Sequence, residues 1–250
     1  MRLIILGAGT GIPAPGYNPA GLYIEVGRER ILLDAGAGTL QRLALLGVDF
    51  LQINRLFITH FHIDHCLDLV SLLFARRIPS SVTKPPLTVY GPRGLRRLTR
   101  QLNTAFHGWF GPRGYRLALR ELRAATLRLP GYTVTSRLMN HYDTGAIGYR
   151  ITAGGKSLAY SGDTDMCRAI VELGYRADAL ILECSVPDER KAAGHLTPSD
   201  CGRIAAEAGC RHLILTHFYP VFQRHDIRAC VRRFFRGRLT LARDFISLRV

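Results

Sequence analysis

The chain has 250 residues, of which 47% are hydrophobic and 21% charged. That is enough apolar content to bury a sizeable core and excludes a disordered polyelectrolyte. No apolar run reaches the roughly 20 residues needed to cross a bilayer. The net charge is +15 and almost all of it is Arg, the only lysines being Lys84, Lys156 and Lys191. Such a chain is suited to anionic partners, phosphates above all, although a solvated Arg face accounts for the charge equally well.

The opening "MRLIILGAGTG" carries too short an apolar run for a signal peptide and reads as a first strand, Leu3–Leu6, so a cytoplasmic protein is expected. Its glycine loop is not a dinucleotide fingerprint. The third glycine comes one residue early for G-x-G-x-x-G, and Pro13 and Pro15 obstruct the helix that should follow. Strands are expected at Leu22–Val26 and Ile31–Asp34, a helix at Thr39–Leu46, and a strand at Leu56–Thr59. A largely buried helix should run from about His65 to Arg77. "LTVYGP" reads as a strand and turn, followed by basic helical segments at Gly94–Asn103 and Arg116–Arg123. Between Leu69 and Tyr142 there are thirteen basic residues and one acid, Glu121.

The second half is richer in strands. "YTVTSRLMNH" alternates, and "AIGYRIT" and "SLAYSGD" flank "AGGK" as a hairpin. "LILEC" and "LILTH" are short apolar strands of the kind buried on both faces. Three helices fit around them. One is capped by Asp165 and closed by Gly174, one has Thr197 at its N-cap, Pro198 behind it and Gly209 at its end, and one runs between Asp226 and Gly237. No linker or low-complexity tract divides the chain, so a single domain over residues 1–250 is expected. Strand–helix units in each half give an α/β layered sandwich. The six cysteines form no C-x-x-C pair, which predicts free thiols and no zinc ribbon.

Two apolar strands end alike, "ITHFH" near residue 60 and "LTHFY" near residue 217. In pseudo-symmetric halves these would be equivalent strand ends facing one cleft. The first ending continues as "HFHIDH". His60 and His62, two apart, point to one side, and Asp64 and His65 follow at a turn. Four such groups in six residues would repel if charged and would be costly if buried unpaired. A divalent metal resolves this; neutral imidazole and carboxylate suit zinc, with iron or manganese as alternatives. Further ligand candidates at strand ends are His141, Asp163 and His217. His195 stands just ahead of a helix, and Glu183 ends a buried strand where a lone carboxylate would be costly. A structural zinc needs four closed ligands, often Cys, and this set exceeds that.

The pattern H-x-H-x-D-H, with the later His, "SGDT" and "LTHF", resembles the metallo-β-lactamase superfamily. "LGAGTGIPAPGYNPAGL", "LLDAGAGTLQRL", "ITHFHIDHCLDLVSLL" and "AGHLTP" resemble its ribonuclease Z branch, the tRNA 3′-processing endonucleases. The resemblance is weak from about Gly91 to Leu138. It implies a four-layer αβ/βα sandwich of two pseudo-symmetric halves and two divalent metal ions. His60, His62 and His141 would hold one, Asp64, His65 and His217 the other, with Asp163 bridging, and a water or hydroxide between them as nucleophile. It further implies His195 as general acid partnered by Glu183, so that Asp64, His195 and Glu183 are the candidate catalytic residues. Asp34 would orient the site without binding metal. RNA is the implied substrate and a homodimer the implied assembly. Two departures bear on the substrate. Only 21 residues separate His141 from Asp163, too few for the long tRNA-gripping arm of the bacterial enzymes, and Ala37 stands where the branch usually has Glu. The alternative is a two-metal hydrolase of a small substrate: a cyclic or small phosphodiester, lactone, thioester or sulfate ester. A diiron oxygen-reducing relative would have Glu in place of His62.

Overall fold

The computed structural model describes residues 1–78, 83–222 and 225–250. Strands β1 (Arg2–Gly7), β2 (Gly21–Val26) and β3 (Glu29–Ala35) form an antiparallel meander. Helix α1 (Thr39–Leu45), strand β4 (Arg55–Phe57), helices α2 (Ile63–Cys66) and α3 (Asp68–Arg77), strand β5 (Leu87–Pro92), helix α4 (Leu95–Ala105) and strand β6 (Leu117–Leu122) follow. From β3 to β6 neighbours pair in parallel. Each step therefore needs a crossover, and a helix supplies it.

The second half repeats the plan. β7 (Ala125–Leu129), β8 (Tyr132–Leu138), β9 (Ile147–Ala153) and β10 (Lys156–Tyr160) pair antiparallel. Then come α5 (Arg168–Gly174), β11 (Ala179–Glu183), α6 (Pro198–Ala208), β12 (His212–Thr216), α7 (Ile227–Arg232) and β13 (Arg238–Leu241), with β10 to β13 parallel. β14 (Ser247–Arg249) returns to pair with β1. The sheet orders are β14-β1-β2-β3-β4-β5-β6 and β7-β8-β9-β10-β11-β12-β13.

Buried side chains fill three interlayer spaces. Leu43, Leu69, Leu72 and Leu95 pack on the outer face of the first sheet. Leu3, Ile5, Phe57, Ile147, Tyr149, Ile181 and Ile214 fill the space between the sheets. Ile170, Ile204 and Val231 cover the far face of the second sheet, against Leu180, Leu182 and Leu213. Along β11 the side chains alternate between two apolar spaces, which is why that segment reads as a continuous apolar run. The result is the four-layer αβ/βα sandwich.

Several local expectations change. Arg116–Arg123 is a strand, not a helix: β6 adds in parallel to β5, and the ladder hydrogen bonds outweigh helix propensity. The helix expected from His65 starts earlier, at Ile63, and is broken into α2 and α3. It is not buried on most sides, since Ile63, Leu67 and Phe74 are exposed. Asp165 does not cap α5, which begins at Arg168; its carboxylate accepts from the Met166 N–H and from Lys191 instead. Thr197 caps α6 in a reciprocal box with Asp200. Asp226 caps α7, but that helix ends at Arg232, well before Gly237. The strands β7, β13 and β14 carry no clear sequence signal. All six cysteines are free.

The pseudo-symmetry matches β3 with β10, β4 with β11 and β5 with β12, counting from each meander. The two Thr-His-Phe endings follow β4 and β12, so they are not equivalent strand ends. They nevertheless face one cleft, because the C-terminal ends of the parallel strands of both sheets open on the same side, where open α/β sheets place their ligands.

Candidate metal centre

Four of the ligand candidates sit just past strands. His60 follows β4, His141 follows β8, Asp163 follows β10 and His217 follows β12 directly. His62 stands at the N-cap of α2, and Asp64 and His65 lie within it. The backbone is forced at several of these points. His217 and Asp34 have φ of 61° and 58°, a left-handed conformation that costs L residues free energy and is kept where the surrounding structure imposes it. Gly162, φ 58°, is required for contact: a Cβ there would lie 2.6 Å from that of Thr59.

The structure brings all seven ligand candidates together in two groups, and His195 makes a third with Asp163 and His217. The first is His60, His62, His141 and Asp163; the second is Asp64, His65 and His217. His141 Nε2 lies 3.2 Å from His62 Nδ1. His65 Nε2 lies 3.1 Å from His217 Nε2, and His217 Nε2 3.4 Å from Asp64 Oδ2. Asp163 stands between the groups. Its Oδ1 is 3.2 Å from His65 Nε2 and 3.5 Å from His217 Nε2, while its Oδ2 is 3.9 Å from both His60 Nε2 and His141 Nε2.

The remaining ring nitrogens are committed elsewhere, and this fixes the tautomers. Thr59 gives its hydroxyl proton to Asp34 Oδ2 at 2.9 Å, so it accepts from His60 Nδ1 at 3.0 Å. The Ser185 hydroxyl donates to Glu183 Oε2, so it accepts from His217 Nδ1 at 3.0 Å. His141 Nδ1 donates to the Gly194 carbonyl at 2.8 Å, and His65 Nδ1 to Asp34 Oδ2 at 2.8 Å. Four imidazoles thus turn Nε2 toward the centre. Two buried atoms there, His60 Nε2 and Asp163 Oδ1, have no hydrogen-bond partner. Buried acceptors left without partners, one toward each histidine group, fit bound cations. The set of neutral imidazole and carboxylate is the chemistry of a divalent metal site.

Electrostatics agree. Burial and the neighbouring His65 hold His60 well below the usual imidazole range, which keeps it neutral. Burial alone would raise the Asp163 carboxyl, but His217 and His65 outweigh it and hold it well below its ordinary range. Burial would likewise lower His65, but the Asp163 and Asp34 carboxylates hold a proton on it. A divalent cation would take that proton's place.

Asp34 is fully buried and its oxygens already accept from the Thr59 N–H, the Thr59 hydroxyl, Tyr160 Oη and His65, so it is placed to orient ligands rather than to bind metal. His195 lies beside the two groups, its Nδ1 3.0 Å from Glu183 Oε1 and 4.0 Å from Asp163 Oδ2. Burial pulls the His195 pKa down, but the hydrogen bond and charge of Glu183 outweigh it and the net shift is upward. Lys191 bonds the His195 carbonyl and the carboxylates of Asp165 and Asp200, tying this loop to α6. Thr59, Ser185, Tyr160 and Lys191 were not legible as site residues. Single hydroxyls and one lysine carry no spacing signal; for Ser185, its place two residues after Glu183 was the only pointer.

The basic segment is not one continuous surface. Arg76 and Lys84 are buried and spend their charge on backbone carbonyls, Arg76 on those of Leu51, Ile53 and Pro85 and Lys84 on that of Arg76. The interval between His141 and Asp163 holds the β9–β10 hairpin.

A family model described as the β-lactamase superfamily domain matches residues 29–218. The chain belongs to that superfamily. Among curated relatives, the Ribonuclease Z of Streptomyces coelicolor is 28% identical, over all of this chain and 97% of its own. The solved structure of the metallo-β-lactamase fold protein YhfI from Bacillus subtilis superposes with a TM-score of 0.84, 24% identity and 99% of both chains. Human tRNase Z, short form, superposes with a TM-score of 0.82 and 24% identity, over 100% of this chain and 99% of that one. Superfamily membership and the His/Asp cluster together make this chain a metal-dependent hydrolase. No helix among the described residues is long and apolar enough to cross a membrane.

Proposed function

We propose that this chain is a two-metal phosphodiesterase, a ribonuclease Z-like endonuclease acting at RNA 3′ ends in the cytoplasm, as a homodimer. The observation that carries this reading is Asp163, whose two oxygens each face a different histidine group, with the His195–Glu183 pair beside them. His60, His62 and His141 would hold one ion, Asp64, His65 and His217 the other, and Asp163 would contact both. Zinc suits this donor set, with manganese or iron as alternatives. When bound, such a pair supplies Lewis acidity toward the phosphoryl oxygens and lowers the pKa of water at the site.

The chain's own residues do the rest. The Gly11 N–H donates to Asp64 Oδ2 at 2.9 Å and fixes that carboxylate. Glu183 holds a proton on His195 Nδ1, which leaves Nε2 to give a proton to the departing ribose 3′-oxygen. An acid must be protonated to act, so its contribution is present below its pKa and lost as pH rises through it. Glu183→Gln removes the charge that raises that pKa. It is expected to move the alkaline limb of the kcat profile to lower pH, with metal content retained; a limb that stays in place would remove Glu183 from this role.

The relatives named Ribonuclease Z support RNA as substrate. The deciding experiment compares bis-p-nitrophenyl phosphate with a tRNA precursor bearing a 3′ trailer, using protein of measured metal content. Cleavage of both, with the tRNA cut at its 3′ end, is the expected result. Cleavage of the small diester alone would favour a second reading, a phosphodiesterase for small substrates. The short β9–β10 hairpin, where a tRNA-gripping arm would have to be inserted, supports that alternative.

A further inference from the structure

Next to the metal centre is a cavity of about 450 Å³ lined by Pro13, Pro15, Tyr17, Phe218, Tyr219 and Phe222, among others. Both of its walls are continuations of segments that touch the centre. On one side is the loop from Gly9 to Tyr17, whose Gly11 N–H bonds the ligand candidate Asp64. The neck of this loop is pinned: Asp244 accepts from the Ala8 N–H and the Asn18 N–H, each at 2.9 Å, and the Gly9 N–H meets the Asn18 carbonyl at 2.8 Å. On the other side is the chain leaving His217. The Tyr219 ring lies 5.9 Å from that of His217 and 6.2 Å from that of His195, so Tyr219 is a wall common to cavity and centre.

Four aromatic rings share the lining with prolines and the aliphatic Ile227 and Leu241. Tyr17 meets Phe218 edge-on with ring centres 6.2 Å apart, and Phe218 meets Phe222 edge-on at 5.9 Å. Among the described residues, no charged side chain lines the cavity. A flat, weakly polar group attached to one lying over the metal centre would suit it. A phosphate fits the centre and the +15 chain, but not a cavity whose described lining is apolar and aromatic.

We propose that this cavity receives the nucleobase of the nucleoside adjoining the scissile phosphate, stacked among Tyr17, Tyr219 and Phe222. The inference rests on the phosphodiesterase reading and narrows it: the substrate is a nucleotide ester, whether the end of an RNA chain or a small nucleotide diester. It also gives the chain a way to hold its substrate close to the reacting bond, without a distant arm. Base stacking on aromatic side chains is sequence-tolerant, so the site would select for a base rather than for one particular base.

The test uses the full-length, metal-loaded protein and two esters with one leaving group, thymidine 5′-(p-nitrophenyl phosphate) and methyl p-nitrophenyl phosphate. The nucleoside ester is expected to have a kcat/KM about 10- to 100-fold higher, the range that stacking of one base supplies. Tyr17→Leu, which keeps apolar bulk and loses the π face, and Phe222→Leu should each cut that ratio roughly tenfold. No preference in the wild type, or variants in which both esters fall together at constant ratio, would overturn the proposal. Binding provides the separate readout. Thymidine 5′-monophosphate should bind at least about tenfold more tightly than ribose 5-phosphate, with the difference lost in Tyr17→Leu. If that preference holds while neither ester is hydrolysed, the cavity assignment stands and the reaction assigned to the centre falls. If both esters are hydrolysed without any base preference in rate or binding, the reaction stands and the cavity assignment falls. A tRNA precursor and a cyclic dinucleotide, compared in the same assays, separate the two sources of the base.

Discussion

Asp163→Ala is expected to leave the protein folded, to bring its bound metal from two ions per chain to one or fewer, and to cut kcat/KM for bis-p-nitrophenyl phosphate by about 10³-fold or more. The size of the effect follows from where the two carboxylate oxygens lie. Each is within 4 Å of Nε2 atoms in a different histidine group, so one side chain would serve both proposed ion sites. Without it, the imidazoles of His60, His65, His141 and His217 converge on a buried space that contains no central anion, and a cation pair there would repel without a shared ligand. The backbone should tolerate the change. The bend that delivers residue 163 is made by Gly162, and β10 ends before it. Metal quantification by mass spectrometry, alongside circular dichroism and steady-state rates, reads the three quantities separately. A variant that still holds two ions and turns over within tenfold of the wild type would remove Asp163 from the bridging position.

How much of this was legible beforehand depended on whether the signal was local. The H-x-H-x-D-H run is local: strand period places two imidazoles on one side, and burial makes an unpaired cluster untenable, so a metal could be inferred from six residues. The layered α/β architecture was also readable, because apolar runs such as "LILEC" need cover on both faces. His141, Asp163 and His217 could only be named as strand-end candidates, and their grouping came from resemblance. What fixes that grouping is long-range: β8, β10 and β12 lie in the second sheet, and its strand order brings their ends over α2. The hydroxyl relays were invisible for the same reason. Thr59 bonds Asp34 across 25 positions and Ser185 bonds His217 across 32, and neither contact leaves a pattern in sequence. β6 was misread because "LALREL" favours a helix in isolation, and only the open edge of β5 makes it a strand.

His195→Ala should behave differently from the Asp163 variant, and the contrast is what makes it informative. Metal should stay, because all seven candidates of the two proposed ion sites remain; His195 lies within reach of Asp163 and His217, but its Nδ1 is 4.0 Å from Asp163 Oδ2 and is already committed to Glu183. The rate should nevertheless fall by about 10² to 10⁴-fold, the usual contribution of a positioned proton donor. The loss should depend on the leaving group. An alkoxide such as a ribose 3′-oxygen needs a proton as it departs, whereas p-nitrophenolate is stable enough to leave without one. The variant should therefore lose far more activity on an RNA 3′ end, or on a dinucleotide, than on bis-p-nitrophenyl phosphate. A general loss on both substrates with intact metal would mean that His195 holds substrate rather than protonates it. A fully metallated and fully active variant would rule out the assignment. Removing Glu183 instead should produce a weaker form of the same leaving-group dependence, because the imidazole remains but its proton is held less firmly.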